Sequence, residues 1–301
     1  MKKRELGKSG LFVSELGFGA MSLPHQLTEA EAIFDAALHA GINFFDTADI
    51  YAAGQNEEMM ARLLKDRRND IVLATKVGNQ LNPDGKTWSW NPTKKHITKA
   101  VKESLRRLGT DYIDLYQLHG GTMEDDVEET IDAFESIKKE GLIRQYGISS
   151  IRPTVIKRFL SKGAAVSVMM QYSVLDRRPE EWFSMIDQKN ASVISRGTIA
   201  KGFLTLDGTG LEKAAKGFAA YGKQELIKTL DTLQTNIEDL HAAAIHFVLA
   251  EKTIASALVG AKTQKQLLDS IVAYEKSASF ETIEKLKKLT TAHTYKEHRL
   301  K

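Results

Sequence analysis

Cysteine is absent from all 301 residues, which excludes disulfides and thiolate metal sites and fits a reducing cytoplasm. No run of about 18 apolar residues is present to span a bilayer, and no charged-then-apolar signal segment opens the sequence. The expectation is therefore a soluble, cytoplasmic protein with no membrane partner. Charge of one sign is scarce too: the net charge of +3 is too small and too evenly spread to argue for nucleic acid. No Pro/Gly/Ser linker or low-complexity tract divides the chain, so one domain over residues 1–301 is expected. The histidines show no H-E-x-x-H or clustered spacing, and no metal is expected.

What is present is enough apolar material for a sizeable core, 42% of the residues. It is arranged as a repeat of strand, polar residue, loop and helix. Leu6 to Leu11 reads as a small hairpin around Lys8-Ser9-Gly10, and Val13 to Phe18 as a first strand. Gly17-Phe18-Gly19-Ala20-Met21-Ser22 begins like a dinucleotide fingerprint but fails at its sixth position, Ser22. A helix from Thr28 to Gly41 follows, then the buried strand Ile42 to Phe45, ended by Asp46. Asn56 is expected to cap the next helix, and Ile71 to Thr75 is a strand that stops at Lys76. Asn91-Pro92 is expected to open a helix, with the proline in its first turn, and Gly109 to end it. Tyr112 to Leu118 is a strand stopping at His119.

Further strands are expected at Ile143–Ile148, Val166–Met170, Ser192–Ile194 and Ile254–Val259, with helical patterns between them. About eight strand-helix units is the number that closes a parallel barrel. The fold expected is α/β: a (β/α)8 TIM barrel with an N-terminal β-hairpin and additional helices. The seventh connection, Lys201 to Gly222, is long enough to cover a site. Helices over Gln264–Tyr274 and Phe280–Leu289 precede a polar tail.

In such a barrel the C-terminal ends of the strands converge on one face. Asp46, Lys76 and His119 each lie at such an end, and Tyr51 follows just behind the first. Taken singly, each has an ordinary reading: a turn former, a solvated lysine, a core histidine, a packing tyrosine. Asp49 is read as a turn former, and Asp114 as the structural partner of a buried cation or hydroxyl.

These four residues, in the contexts Phe45-Asp46-Thr47-Ala48-Asp49-Ile50-Tyr51, Ala74-Thr75-Lys76 and Gln117-Leu118-His119, resemble the aldo-keto reductase family. The likeness runs from the Gly17-Phe18-Gly19 loop to the last strand. It implies that Asp46, Tyr51, Lys76 and His119 form a catalytic tetrad and that a nicotinamide cofactor lies across the barrel mouth without a Rossmann domain. The implied reaction is NADPH-dependent reduction of a small-molecule aldehyde or ketone. The chemistry asks for these residue types: Tyr51 gives a proton to the developing alkoxide, Lys76 favours the phenolate, Asp46 holds Lys76, and His119 orients the carbonyl.

The resemblance also implies a set of cofactor contacts. Gly260, Lys262, Thr263, Gln266, Asp269 and Ser270 stand where the family holds the adenosine ribose phosphate, and Lys262 points to NADPH over NADH. Ser149, Ser150 and Gln171 match the nicotinamide carboxamide site, with Ala20, Met21 and Asp46 at the same end. Gly197, Thr198, Ile199, Ala200, Lys201 and Gly202 match the pyrophosphate loop. Arg196 stands where many relatives stack an aromatic ring on the nicotinamide; Ser150 and Ser270 stand where Asn is usual.

Trp88 and Trp90, in the loop after the lysine strand, are expected either to border the substrate pocket or to pin that loop. A monomer is expected. Two rivals differ in kind: a cofactor-sensing auxiliary subunit of the same fold, and a lyase forming a Schiff base on Lys76.

Overall fold

The structure is a computed structural model that describes residues 1–205 and 213–299. Eight parallel strands close a barrel. They are β3 (Leu16–Gly19), β4 (Phe44–Asp46), β5 (Val72–Val77), β8 (Ile113–His119), β9 (Ile143–Ser149), β10 (Ser167–Gln171), β11 (Ser192–Arg196) and β12 (Ile254–Val259). The helices between them are α1 (Leu27–His39), α2 (Gln55–Leu64), α3 (Lys94–Leu108), α4 (Val127–Lys139), α5 (Pro153–Lys162), α6 (Phe183–Gln188), α7 (Lys223–Asn236) and α8 (Leu240–Leu249). After β12 come α9 (Gln264–Glu275) and α10 (Phe280–Leu289). Among the described residues no helix is long and apolar enough to cross a membrane.

The barrel has two cores because alternate strand residues face opposite ways. Phe44, Ala74, Leu115, Met169 and Ile194 pack inside, whereas Phe45, Leu73, Tyr116 and Val168 pack outward beneath the helices. Leu6 and Val13, both fully buried, join the inner cluster. They come from the hairpin of β1 (Lys3–Glu5) and β2 (Phe12–Ser14), which covers the bottom of the barrel. Arg4 fastens it there through the carbonyls of Leu249 and Ile254, at 2.9 and 2.8 Å.

Three local expectations are corrected. The strand expected over Val13–Phe18 is two: Val13 belongs to the hairpin, and the barrel strand begins at Leu16, with the Ser14 hydroxyl donating to the Leu16 carbonyl at the corner (2.7 Å). Asn56 does not cap α2 but lies inside it, where its amide donates to the Ala20 carbonyl (2.8 Å) and accepts from the Thr47 hydroxyl (2.6 Å). Pro92 precedes α3 rather than sitting in its first turn. Thr93 is the cap, its side chain accepting from the His96 N–H.

The loop after β5 holds a second antiparallel hairpin, β6 (Asn79–Leu81) with β7 (Trp88–Trp90). Of the expected cover over Lys201–Gly222, residues 206–212 lie outside the described residues.

Candidate active site

Alternation decides which strand-end residues can meet. With Phe44, Ala74 and Leu115 inside the barrel, Asp46, Lys76, Gln117 and His119 also face inward, two or four residues further along their strands. Lys76 is 1% exposed and Asp46 4%, so neither charge is hydrated and each must be satisfied by protein. The Lys76 ammonium donates to Asp46 Oδ2 at 2.6 Å and to the Thr47 carbonyl at 2.7 Å. Its third neighbour is the Tyr51 hydroxyl, at 3.4 Å. Gln117 Nε2 donates to the other Asp46 oxygen at 3.2 Å. Both carboxylate oxygens are thereby engaged, and Lys76 is fixed between the carboxylate and the phenol.

Tyr51 reaches this cluster because the chain after β4 reverses sharply. Ala52 and Ala53 have positive φ, 48° and 53°, and Gly54 follows at 93°, a run most side chains disfavour. His119 stands on the other side of the phenol, its ring edge-on to Tyr51 with centroids 6.1 Å apart. His119 Nδ1 is buried without a partner. The structure thus brings Asp46, Tyr51, Lys76 and His119 together, and adds Gln117 and the Thr47 carbonyl, which sequence reasoning missed. The inward register of Gln117, two residues before His119, was the signal for it.

The electrostatics follow from burial and neighbouring charge. Burial pushes the Tyr51 phenol above its ordinary value; Lys76 pulls it down and the Asp46 charge pushes it up. The pull expected from Lys76 is present, but in this arrangement it does not win. Burial likewise raises the Asp46 carboxyl against the pull of Lys76. His119 is driven down to about 3 by burial and by the charges of Lys76 and Arg196. It is a neutral imidazole at any physiological pH.

The residues expected around a cofactor divide into those that are available and those already engaged. Lys262 is exposed at the start of α9 and makes no ion pair among the described residues. Thr263 caps that helix by accepting from the Gln266 N–H, and the Gln266 side chain accepts from the Lys262 N–H at 2.9 Å. A Cβ at Gly260 would stand 2.7 Å from Ser22 Oγ, so the backbone there runs in a cradle with no room for a side chain. A free cation beside a helix N-terminus fits a phosphate-bearing ligand.

Asp269 is paired with Lys265 at 2.8 Å along the same helix. Ser270 does not fit its expected role. It is 2% exposed, its hydroxyl donating to the Gln266 carbonyl (3.1 Å) and lying 3.2 Å from His241 Nε2, so it ties α9 to α8.

At the other end Ser149 and Ser150 lie nearly buried at the end of β9; Ser150 Oγ accepts from the Arg152 N–H. Gln171 is held at both ends, donating to Asp176 at 2.8 Å and accepting from Arg196 at 3.1 Å. The Asp176 carboxylate is pinned in turn by two bonds from Arg178, each 2.7 Å. Arg196 is therefore an oriented, exposed guanidinium close enough to the four-residue cluster to bias its charges. Met21 is 67% exposed, whereas Ala20 is buried and its carbonyl engaged by Asn56.

Gly197, Ala200, Lys201 and Gly202 all have positive φ. The Thr198 hydroxyl between them donates to the Leu258 carbonyl at 2.8 Å, and Ile199 is half-buried. Of the two tryptophans, Trp90 pins its loop. Its ring fills the space where Gly78 and Gly120 lack side chains, and Nε1 donates to Asp125 at 2.8 Å. Trp88 is 36% exposed.

The family model for the aldo/keto reductase family matches residues 15–291. The chain belongs to that family. Its backbone superposes on the solved holo form of aldo-keto reductase AKR11C1 from Bacillus halodurans with a TM-score of 0.92 and 47% identity, over 100% of both chains. The apo form of that protein gives 0.85. The uncharacterized oxidoreductase YqkF of Bacillus subtilis (strain 168) is 45% identical over 99% of this chain and 100% of its own. A probable voltage-gated potassium channel subunit beta from Oryza sativa subsp. japonica is 39% identical, over 50% of this chain and 46% of its own. A member of this family with an oxidoreductase as full-length relative is itself an oxidoreductase.

Proposed function

We propose that this oxidoreductase reduces aldehydes or ketones to alcohols with NADPH, in the cytoplasm and as a monomer. Its catalytic residues on this reading are Tyr51, Lys76, Asp46 and His119. The observation that carries the reading is the placement of one buried ammonium in contact with both Asp46 and the Tyr51 hydroxyl. A charged amine, held by a carboxylate, beside a phenol is the arrangement that lets a phenol act as an acid.

The nicotinamide supplies a hydride to the carbonyl carbon when bound. Tyr51 hands its proton to the oxygen, and Lys76 stabilises the phenolate left behind. Neutral His119 donates a hydrogen bond to the same oxygen and orients the carbonyl, a task an imidazole with pKa of about 3 performs without changing charge. Asp46 and Gln117 keep the ammonium in place. Lys262 and the first turn of α9 would hold the phosphate-bearing end, and Lys262 favours NADPH over NADH. Ser149, Gln171 and the loop from Gly197 to Gly202 would line the rest, with Arg196 offering a flat cation to the ring in place of an aromatic face. Trp88 is the tryptophan left free to meet a substrate.

The test is a panel of aldehydes and ketones assayed with NADPH and NADH in parallel; absorbance loss at the nicotinamide band with NADPH is the expected result. Half-length likeness to a channel beta subunit supports a second reading, a cofactor-sensing subunit with little turnover. Tight NADPH binding with no carbonyl reduced anywhere in the panel would favour it. A Schiff base on Lys76 is disfavoured, because that amine is buried and already engaged by the Asp46 carboxylate and the Thr47 carbonyl.

A further inference from the structure

We propose that Glu57 and Arg107 are positioning residues for Tyr51: their buried pair, one layer outside the barrel, fixes the loop that carries the phenol and so sets its distance from Lys76. The inference rests on the reading of Tyr51 as proton donor.

Glu57 is fully buried, on the inner face of α2. Each of its oxygens has one strong partner: Oε1 accepts from the Thr75 hydroxyl and Oε2 from Arg107 Nε, both at 2.7 Å. Thr75 precedes Lys76 on β5 and faces the opposite side of the sheet. Glu57 therefore grips the back of the strand whose front presents the ammonium.

Arg107 comes from α3 and does a second thing. Its side chain runs directly beneath Gly54, where a Cβ would meet Arg107 Cδ at 2.8 Å. Gly54 ends the left-handed run that begins at Ala52, immediately after Tyr51. Such backbone persists only where its surroundings enforce it, and Arg107 Cδ and Nε fill the space at the end of the run that a side chain on Gly54 would need.

On the other side of Tyr51, Asp49 lies within electrostatic reach of the same pair. The Asp49 N–H donates to the Lys76 carbonyl at 3.4 Å, and Asp49 Oδ1 is buried without a partner. The charges facing that carboxyl are Glu57 from α2, Arg107 from α3 and Lys76 from β5, with the buried Tyr116 phenol alongside from β8. Burial and the Glu57 charge push Asp49 up to about 8, so near neutrality it is the uncharged acid. With Asp49 neutral, Glu57 and Arg107 match one for one. Of the residues flanking Tyr51, Gly54 thus packs on Arg107 and Asp49 lies in the field of the same ion pair, which touches no reacting group.

The experiment follows Tyr51 directly. The full chain carrying isotope-labelled tyrosine is examined by NMR as wild type, Glu57→Gln and Arg107→Lys, with the Tyr51 resonance assigned by its absence from Tyr51→Phe. Rates and NADPH affinity are measured on the same samples. Glu57→Gln keeps the shape and the Thr75 contact but unpairs Arg107. Arg107→Lys keeps the cation but removes the planar Nε–Cζ group that lies under Gly54 and bonds Glu57, and it carries the test if Glu57→Gln does not fold.

The expected result is a displaced Tyr51 resonance that titrates at higher pH, because the phenol has moved from the ammonium that favours its ionised form. Alongside it, kcat falls roughly 10- to 100-fold, the cost of a displacement near 1 Å, with NADPH affinity and KM unchanged. A folded variant whose Tyr51 resonance and titration match the wild type overturns the proposal, whatever its rate or melting temperature. If the wild type reduces no carbonyl, the reductase reading fails, and the Tyr51 resonance still decides this one.

Discussion

The Lys76 ammonium sits 2.6 Å from Asp46 Oδ2 and 3.4 Å from the Tyr51 hydroxyl, and both charged groups are withdrawn from water. Removing one partner of so buried a pair leaves the other charge uncompensated, at a cost of roughly 3–5 kcal/mol. Lys76→Met is therefore expected to lower thermal stability by about that amount and to abolish turnover. Asp46→Asn, which keeps a polar acceptor for the ammonium, should lose less stability. Melting curves and steady-state rates on the two variants check this; an Asp46→Asn variant as stable as the wild type would show that Asp46 does not hold Lys76 as an ion pair.

Asp49 gives stability a slope with pH. Its folded pKa of about 8 lies above the ordinary 3.8, so the folded state binds the proton more tightly. The associated stability is complete below about 4 and is lost as pH rises toward about 8, flattening above. Asp49→Asn mimics the neutral form and should remove that slope. At pH near 8 it should be more stable than the wild type, by up to about 5 kcal/mol for a shift from 3.8 to about 8 at roughly 1.4 kcal/mol per unit. Melting temperature against pH for both proteins measures it; parallel curves would contradict the assignment.

His119 has the opposite sign. An imidazole held at about 3 against an ordinary 6.5 makes no stability difference above the unfolded value, and stability falls as pH drops from about 6.5 toward 3. Its neutral state also has a kinetic signature. Between about pH 5 and 8, log kcat/KM should show no inflection belonging to His119, and His119→Gln should lower the rate without changing the shape of the profile. An acid limb present in the wild type and absent from that variant would mean that the imidazole works charged.

Lys262 is exposed beside the first turn of α9, where a phosphate would gain a charge-assisted bond worth roughly 1.5–3 kcal/mol. Lys262→Met should weaken NADPH binding by roughly tenfold or more and leave NADH binding nearly unchanged. Fluorescence titration with the two dinucleotides separates these; equal losses for both would place the lysine away from the phosphate that distinguishes them.

The barrel and three inward-facing site residues, Asp46, Lys76 and His119, were legible because both depend on short-range pattern. Apolar runs stop at Asp46, Lys76 and His119, and strand alternation alone carries those side chains to one interior. What escaped depended on partners distant in sequence. Nothing around Asn56 says that its amide bridges the Ala20 carbonyl and Thr47 rather than capping a helix. Ser270 matches a family position, yet its small side chain falls short of the surface and bonds His241 instead. Asp49 looked like a turn residue because its burial comes from Glu57, Arg107 and Tyr116, which arrive from three other elements.

The most direct test of the central claim is the turnover of Tyr51→Phe with NADPH and an aldehyde that the wild type reduces. Losing only the hydroxyl, this variant should bind NADPH as the wild type does while kcat falls by roughly 10² to 10⁴. Near-normal reduction by Tyr51→Phe would show that the proton comes from elsewhere and that the phenol beside Lys76 is not the acid.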